Sequence, residues 1–351
     1  MDPTKLPVTR GRRGRTLTAA WACAALAAVT VSGAVPAQAA GRPARATPAR
    51  AAATPQGREW AAFAYYPPKN ELVLFGGRRP GTIFDDTWTR TGTTWTLHHP
   101  TRSPSARTGA SMAFDPATGQ LLLFGGSATT GTGFSNQTWT WNGTNWTQLH
   151  PAASPPGRED QQMAYDAATR TVILFAGFHG TGYWDDTWSW NGSTWTQLSP
   201  ATSPSGRDSY AFVYDPATKT VILYGGFRGT GYTPGDTWSW NGTTWTQLSP
   251  AASPGTDVFA WQAAYDPASK QVLLFGGDLG GGTFGNATWT WTGTNWSRLS
   301  PATSPPVRAY GTMTYDGADQ RLVLFAGSAN ALKIFPTTIW HWDGSTWGLG
   351  S

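Results

Sequence analysis

Only three glutamates occur in the 351-residue chain, and two of them stand in matching settings: Glu59 in "GREW" and Glu159 in "GRED", each directly after an arginine. Asp208 follows Arg207 in the same way in "GRDS". Carboxylates that converge on one site can divide acid and base work, one holding a proton while its neighbour accepts one, as a sugar epimerase or hydrolase requires. The competing reading is an ion pair from each acid to Arg58, Arg158 or Arg207, with no catalytic consequence.

A second set of candidates is aromatic. Trp60, Trp184 and Trp261 lie outside the regular tryptophan columns described below, and Trp184 stands in "FHGTGYWDD" beside Phe178, His179 and Tyr183. The matching loop of the following unit carries Arg228 and Tyr232. Ring faces flanked by Asp and Arg suit a sugar, whose C–H face stacks while its hydroxyls find hydrogen bonds. Alternatively, these rings pack loops onto a scaffold.

Metal and redox chemistry find few ligands. Cys23 is the only cysteine, and His98, His99 and His150 fall at the ends of outer strands in adjacent units. That spacing opposes shared coordination, so neither a metal nor another cofactor is expected.

The elements that must position these residues begin after a targeting segment. Arg10, Arg12, Arg13 and Arg15 form a basic head, an apolar run follows to about Val35, and Ala37-Gln38-Ala39 supplies small residues for cleavage before Ala40. The expectation is a signal peptide over 1–39 and export, by the general or the twin-arginine route. Cys23 would leave with the signal. Residues 1–39 carry five of the 25 Lys and Arg and one of the 20 acids, leaving 20 against 19. The basicity therefore belongs mostly to the signal, and neither a nucleic-acid partner nor a membrane partner after cleavage is expected. From Ala40 to Gln56 the chain is Ala, Pro and Arg, a flexible leader.

From 57 to 351 one unit repeats six times. An apolar run ending in small residues recurs as "ELVLFGG", "QLLLFGG", "TVILFAG", "TVILYGG", "QVLLFGG" and "RLVLFAG", and Trp88, Trp139, Trp188, Trp238, Trp289 and Trp340 recur at 49 to 51 residues. Each unit reads as four strands. The first ends in an Asp-Pro-Ala-Thr type of turn, the second is the apolar run covered on both faces, and the third and fourth flank an Asn-Gly type of turn. The units are approximately 57–107, 108–158, 159–207, 208–257, 258–308 and 309–351.

Seventeen of the 21 tryptophans fall in three columns of the third and fourth strands, as Trp188, Trp190 and Trp195 do in "DDTWSWNGSTWTQL". A two-residue loop would pair Trp188 with Trp195, and a four-residue loop Trp190 with Trp195. Either puts all three rings on one face. Covering each indole is worth about 2 to 5 kcal/mol, which favours a closed ring in which each sheet lays its tryptophan face on the next.

The small-residue pair after an apolar strand, followed by an aromatic strand and a Trp-bearing strand at a period near fifty, resembles the kelch repeat of six- and seven-bladed propellers, including that of the galactose oxidase family. The resemblance implies an all-β, six-bladed propeller with four antiparallel strands per blade. It leaves function open, because such propellers include binding proteins, an oxidase and epimerases. The copper oxidases need a cysteine cross-linked to a tyrosine, which the mature chain lacks. "DGSTWG" at 343–348 resembles the Asp-box turn of sialidases but is one residue short, and it reads as hairpin chemistry.

The arginine that ends five of the linkers, Arg58, Arg107, Arg158, Arg207 and Arg308, reads as a clamp between neighbouring blades. Residues repeated in every unit belong to the scaffold, and residues that break the pattern on the looped face are site candidates. The expected function is a secreted, monomeric binding module for a glycan or protein, with a carbohydrate-active enzyme using Glu59, Glu159 and Asp208 as the alternative. Unit one begins with its first strand and unit six ends with its fourth, so the junction of blades six and one is expected to be the weakest in the ring.

Overall fold

The computed structural model describes residues 54–129, 131–229, 235–256, 258–329 and 335–350. The expected signal segment, most of the leader, and Tyr232 lie outside these residues. The chain forms six antiparallel blades of four strands, each built from one contiguous stretch; in blade two a short fifth strand, Thr132–Phe134, joins the second, and in blade one Arg78–Arg79 and Thr82–Ile83 make a separate two-stranded ribbon. Blade three is representative, with strands Gln162–Asp166, Thr171–Phe175, Thr187–Trp190 and Trp195–Leu198 hydrogen-bonded in that order. The first strands, Ala62–Tyr66, Thr108–Asp115, Gln162–Asp166, Ala211–Asp215, Gln262–Asp266 and Thr312–Asp316, pack side by side around a central channel. The architecture is a six-bladed β-propeller.

The unalternating second strand is explained by its position between two neighbours. In blade one, Val73 and Phe75 pack toward blade two, while Leu72 and Leu74 pack toward blade six. All four are essentially without solvent exposure. In blade three the hairpin between third and fourth strands is the four-residue form, with Trp190 directly opposite Trp195, whereas in blade one Thr91 also pairs with Thr94. Asn191 closes the blade-three hairpin, its Oδ1 accepting from the amides of Ser193 and Thr194 at 3.0 Å each. Asp343 makes the same turn in blade six, so "DGSTWG" is hairpin chemistry.

Each tryptophan wall meets the preceding blade. Trp139, Trp141 and Trp146 of blade two lie on Tyr66, Val73 and Phe75 of blade one. The fourth-strand indole also donates to a threonine at the start of the preceding blade's third strand: Trp146 to Thr87, Trp195 to Thr138, Trp245 to Thr187, Trp296 to Thr237 and Trp347 to Thr288, at 2.9 to 3.0 Å.

At the sixth junction blade six packs on blade one without a shared sheet. Val323, Phe325, Ala326 and Ile339 enclose Phe63, Leu74, Trp88 and Trp95. Two substitutions set this seam apart. Ile339 occupies the threonine position and offers Trp95 no hydroxyl, and Arg90 replaces the middle tryptophan of the wall.

The threonine acceptors predict a measurable asymmetry. Thr138→Val, which leaves the buried Trp195 Nε1 without an acceptor, should lower unfolding free energy by about 1 to 3 kcal/mol in urea. Ile339→Val at the seam removes one methylene and no acceptor, and should stay within about 1.5 kcal/mol of wild type.

Candidate functional site

The recurrent arginine knots adjacent blades at the looped end. The Arg58 guanidinium donates to Gly76 O (2.9 Å) and grips Asp86 with both Nη atoms, and Arg158 and Arg207 grip Asp186 and Asp236 in the same way. Arg107 uses Gln137 instead (2.8 Å). The backbone carbonyl of the same arginine accepts from the glycine pair of the preceding blade, as in Gly77 N to Arg107 O (2.9 Å), and at the seam in Gly327 N to Arg58 O (2.8 Å). A Cβ on Gly76 would stand 2.6 Å from that Arg107 oxygen, which is why a small residue recurs there. The acids beside the arginines are thus not their partners. Glu59 pairs instead with Arg78, Nε to Oε1 at 3.0 Å, while Glu159 accepts from Ser127 Oγ and from the Gly131 amide at 3.1 Å.

One residue further on, the backbone takes an unusual turn. Trp60, Gly109, Asp160, Ser209, Ala260 and Tyr310 all have φ between 52° and 66°, and five of the six are not glycine. A bulky side chain in the left-handed region is uncommon and marks a conformation imposed by its surroundings. Here the cause is a girdle of backbone hydrogen bonds between neighbouring blades: Gly109 N to Trp60 O (3.0 Å), Asp160 N to Gly109 O (2.8 Å), Ala260 N to Ser209 O (2.7 Å) and, across the seam, Trp60 N to Tyr310 O (3.1 Å). Gly109 fits because a Cβ there would meet Asp160 Oδ1 at 2.5 Å.

All six girdle residues line the channel, a cavity of about 510 Å³. Their order around the ring makes it a slot. Tyr310 and Trp60, from adjoining blades six and one, form one wall, with ring centroids 4.4 Å apart and the Arg78 guanidinium 4.1 Å from the Trp60 ring centre. Asp160 and Ser209, from blades three and four, stand on the opposite side. Gly109 and Ala260, from blades two and five, stand between the two walls; both are buried, and Asp160 Oδ1 occupies the space beside Gly109.

The polar wall is electrostatically tense. Burial, and then the charges of Glu159 and Asp208, push the Asp160 carboxyl well above its ordinary value. Burial, with Glu159 adding, raises Asp208 to about 7, and burial raises Glu159 against the pull of Ser127, Gly131 and Arg78. The Tyr310 hydroxyl donates to Asp278 Oδ2 at 2.5 Å. This arrangement can hydrogen-bond hydroxyls and hold or release a proton near neutral pH.

The structure brings Glu59, Glu159, Asp208 and Trp60 to this one mouth. Phe178 and Tyr183 join an arc of rings above it, running Phe134, Phe178, Tyr183, Phe227, Phe259 and Tyr310 with centroid separations of 5.0 to 6.3 Å. Trp184 lies elsewhere, 5.2 Å from the Arg158 guanidinium and 4.6 Å from the His179 ring, covering a clamp. Trp261 also lines the channel but is largely buried against Tyr224, its indole donating to Val258 O at 3.3 Å. Arg228 is exposed beside the rim. Sequence reasoning missed Asp160, Ser209 and Tyr310. Their signal was available: they share one column with Trp60, and that column holds a different residue in every blade.

Among the described residues, no group of three or more His, Cys, Asp or Glu is placed to share a metal ion. No family model and no curated protein matches the sequence. Among solved structures the chain is similar to the one titled "Structure of YjhT", with a TM-score of 0.63 and 14% identity over 85% of this chain and 98% of that one. Identity at that level speaks for the fold alone.

Carbon-detected NMR should find the Asp208 carboxyl titrating near 7, and Glu159→Gln should lower that midpoint by removing a neighbouring charge. A raised carboxyl pKa means the folded chain keeps a proton that the unfolded chain has lost, so this group's contribution to stability declines as pH rises from about 4 to about 7. Asp208→Asn should therefore exceed wild type in urea stability at pH 8 and match it near pH 4. A wild-type midpoint near 4 would contradict the tension described.

Proposed function

We propose that this propeller is a glycan-binding module whose slot takes one sugar ring at the looped mouth of the channel. The carrying observation is the opposition of walls: Trp60 and Tyr310 on one side, Asp160 and Ser209 on the other. A pyranose has the same asymmetry, an apolar C–H face and a rim of hydroxyls, and the small residues Gly109 and Ala260 put no long side chain between the two walls. Glu159 and Asp208, behind Asp160, support the polar wall by sharing its protons.

A second reading, a carbohydrate-active enzyme, is favoured by one feature, an Asp208 carboxyl at about 7 beside Glu159. Such a pair can pass a proton to and from a sugar oxygen at neutral pH. The kelch-like repeat is consistent with either reading. In both, the basic head, apolar run and Ala37-Gln38-Ala39 direct export, with cleavage between Ala39 and Ala40 and a monomeric mature protein outside the cell.

A glycan array followed by calorimetry on the best ligand tests the proposal. Trp60→Ala and Tyr310→Ala should each weaken binding about tenfold or more, and Asp160→Asn should weaken it measurably, while Trp184→Ala should leave it within about twofold. Affinity that survives both wall substitutions removes the slot from the binding site. Turnover of a bound sugar that is lost in Asp208→Asn would favour the enzyme.

A further inference from the structure

We propose that the ring is built to part at blade one in mildly acidic medium, splitting the slot's aromatic wall and releasing its ligand; only the release step rests on the glycan reading. At five junctions a tryptophan of one blade's third strand stands on the column facing a Thr or Ser of the blade before it: Trp141 with Thr89, Trp190 with Thr140, Trp240 with Ser189, Trp291 with Ser239 and Trp342 with Thr290. At the sixth, Arg90 of blade one stands with His341 of blade six. Arg90 is 1% exposed, and its Nε and Nη1, like His341 Nδ1, are shut from water without a hydrogen-bond partner.

The other face of blade one carries the second half-buried imidazole. His98 Nε2 lies 2.8 Å from Thr89 Oγ1, and the ring stands edge-on to Trp141 of blade two at 5.6 Å. Blade one is therefore flanked by a histidine on each side.

Burial pushes both imidazoles below the ordinary 6.5, helped at His341 by Arg90 and Arg321 and at His98 by Lys69 and His99, with Asp319 alone pulling His341 upward. Above the ordinary 6.5 both are therefore neutral in the closed ring. As pH falls through 6.5 the opened form binds protons that the closed form refuses, so stability is lost until the depressed values are passed. Protonation without opening would set an imidazolium against the buried Arg90, which feels the charges of Asp319 and Asp316. Glu71, on the His98 side, and Asp316 act oppositely, because burial raises both and their protonation favours the closed form. They close the window from below, so opening is greatest between 6.5 and the carboxyl range. Trp60 and Tyr310 sit astride this same junction, joined by one backbone hydrogen bond of 3.1 Å.

Hydrogen exchange on the ligand-free protein at pH 7.5 and 5.5, corrected for intrinsic rates, decides the matter whatever the ligand proves to be. Peptides covering Thr87–His98 and Ile339–Leu349 should exchange about tenfold faster at the lower pH, against less than about twofold for Thr187–Leu198 and Thr237–Leu248. The double variant His98→Gln/His341→Gln should lose the difference. A uniform response around the ring, or a seam response that persists in the double variant, overturns the proposal. Should the double variant fail to fold, the wild-type contrast between seam and control peptides decides alone.

Discussion

Everything in this molecule depends on the burial of one blade's indoles against the next blade's apolar strand. Ten tryptophans of the second and third columns are 2% exposed or less. No isolated four-stranded sheet could keep them dry, so the blade is stable only as part of a closed ring. The threonine hydroxyl that receives each fourth-strand indole adds direction to a force that has none. Burial drives the sheets together, and the hydrogen bond fixes their angle and height.

That division of labour frees the looped end for variation. The arginine knot and the backbone girdle are made largely of main-chain atoms and of side chains repeated around the ring, so they hold the mouth open without specifying what lines it. The left-handed girdle position then presents a different side chain to the channel in each blade except the second, where Gly109 has none. At the opposite mouth the rule is reversed. Tyr165, Tyr214, Tyr265 and Tyr315 each feel the preceding blade's aspartate, and where blade one has Tyr66 for that aspartate, blade two has Phe114, the rings 6.1 Å apart. A repeated pair, changed at both members together, belongs to the scaffold.

This contrast explains how much was legible beforehand. Strand order, turns and the tryptophan face followed from spacing, because period two and period fifty are properties of residue type alone. The slot did not. Its geometry depends on a positive φ at residues such as Trp60 and Tyr310, and no propensity announces a tryptophan there. Trp184 and Trp261 were visible as exceptions to the columns, but exception alone does not separate a ring over an arginine clamp from one facing a ligand. The partners of Arg58, Arg158 and Arg207 were equally hidden, since Asp86, Asp186 and Asp236 lie 28 or 29 residues away while Glu59, Glu159 and Asp208 are adjacent.

Blade one breaks the scaffold rule most often. It carries Arg90 where the others have tryptophan, Tyr66 where they have aspartate, the buried Glu71, and the Glu59–Arg78 pair at the mouth. A ring closed by packing and a few backbone hydrogen bonds, with no strand shared across the seam, gains nothing from uniformity at the blade that closes it, since the last contact made is also the first that can be released. The buried polar groups of blade one, Arg90 beside His341 on one face and Glu71 and His98 on the other, are confined to its two junctions and leave the other four with the common pattern. In the acid-dependent opening proposed for blade one, the junction with blade six is the place that yields, and it divides Trp60 from Tyr310.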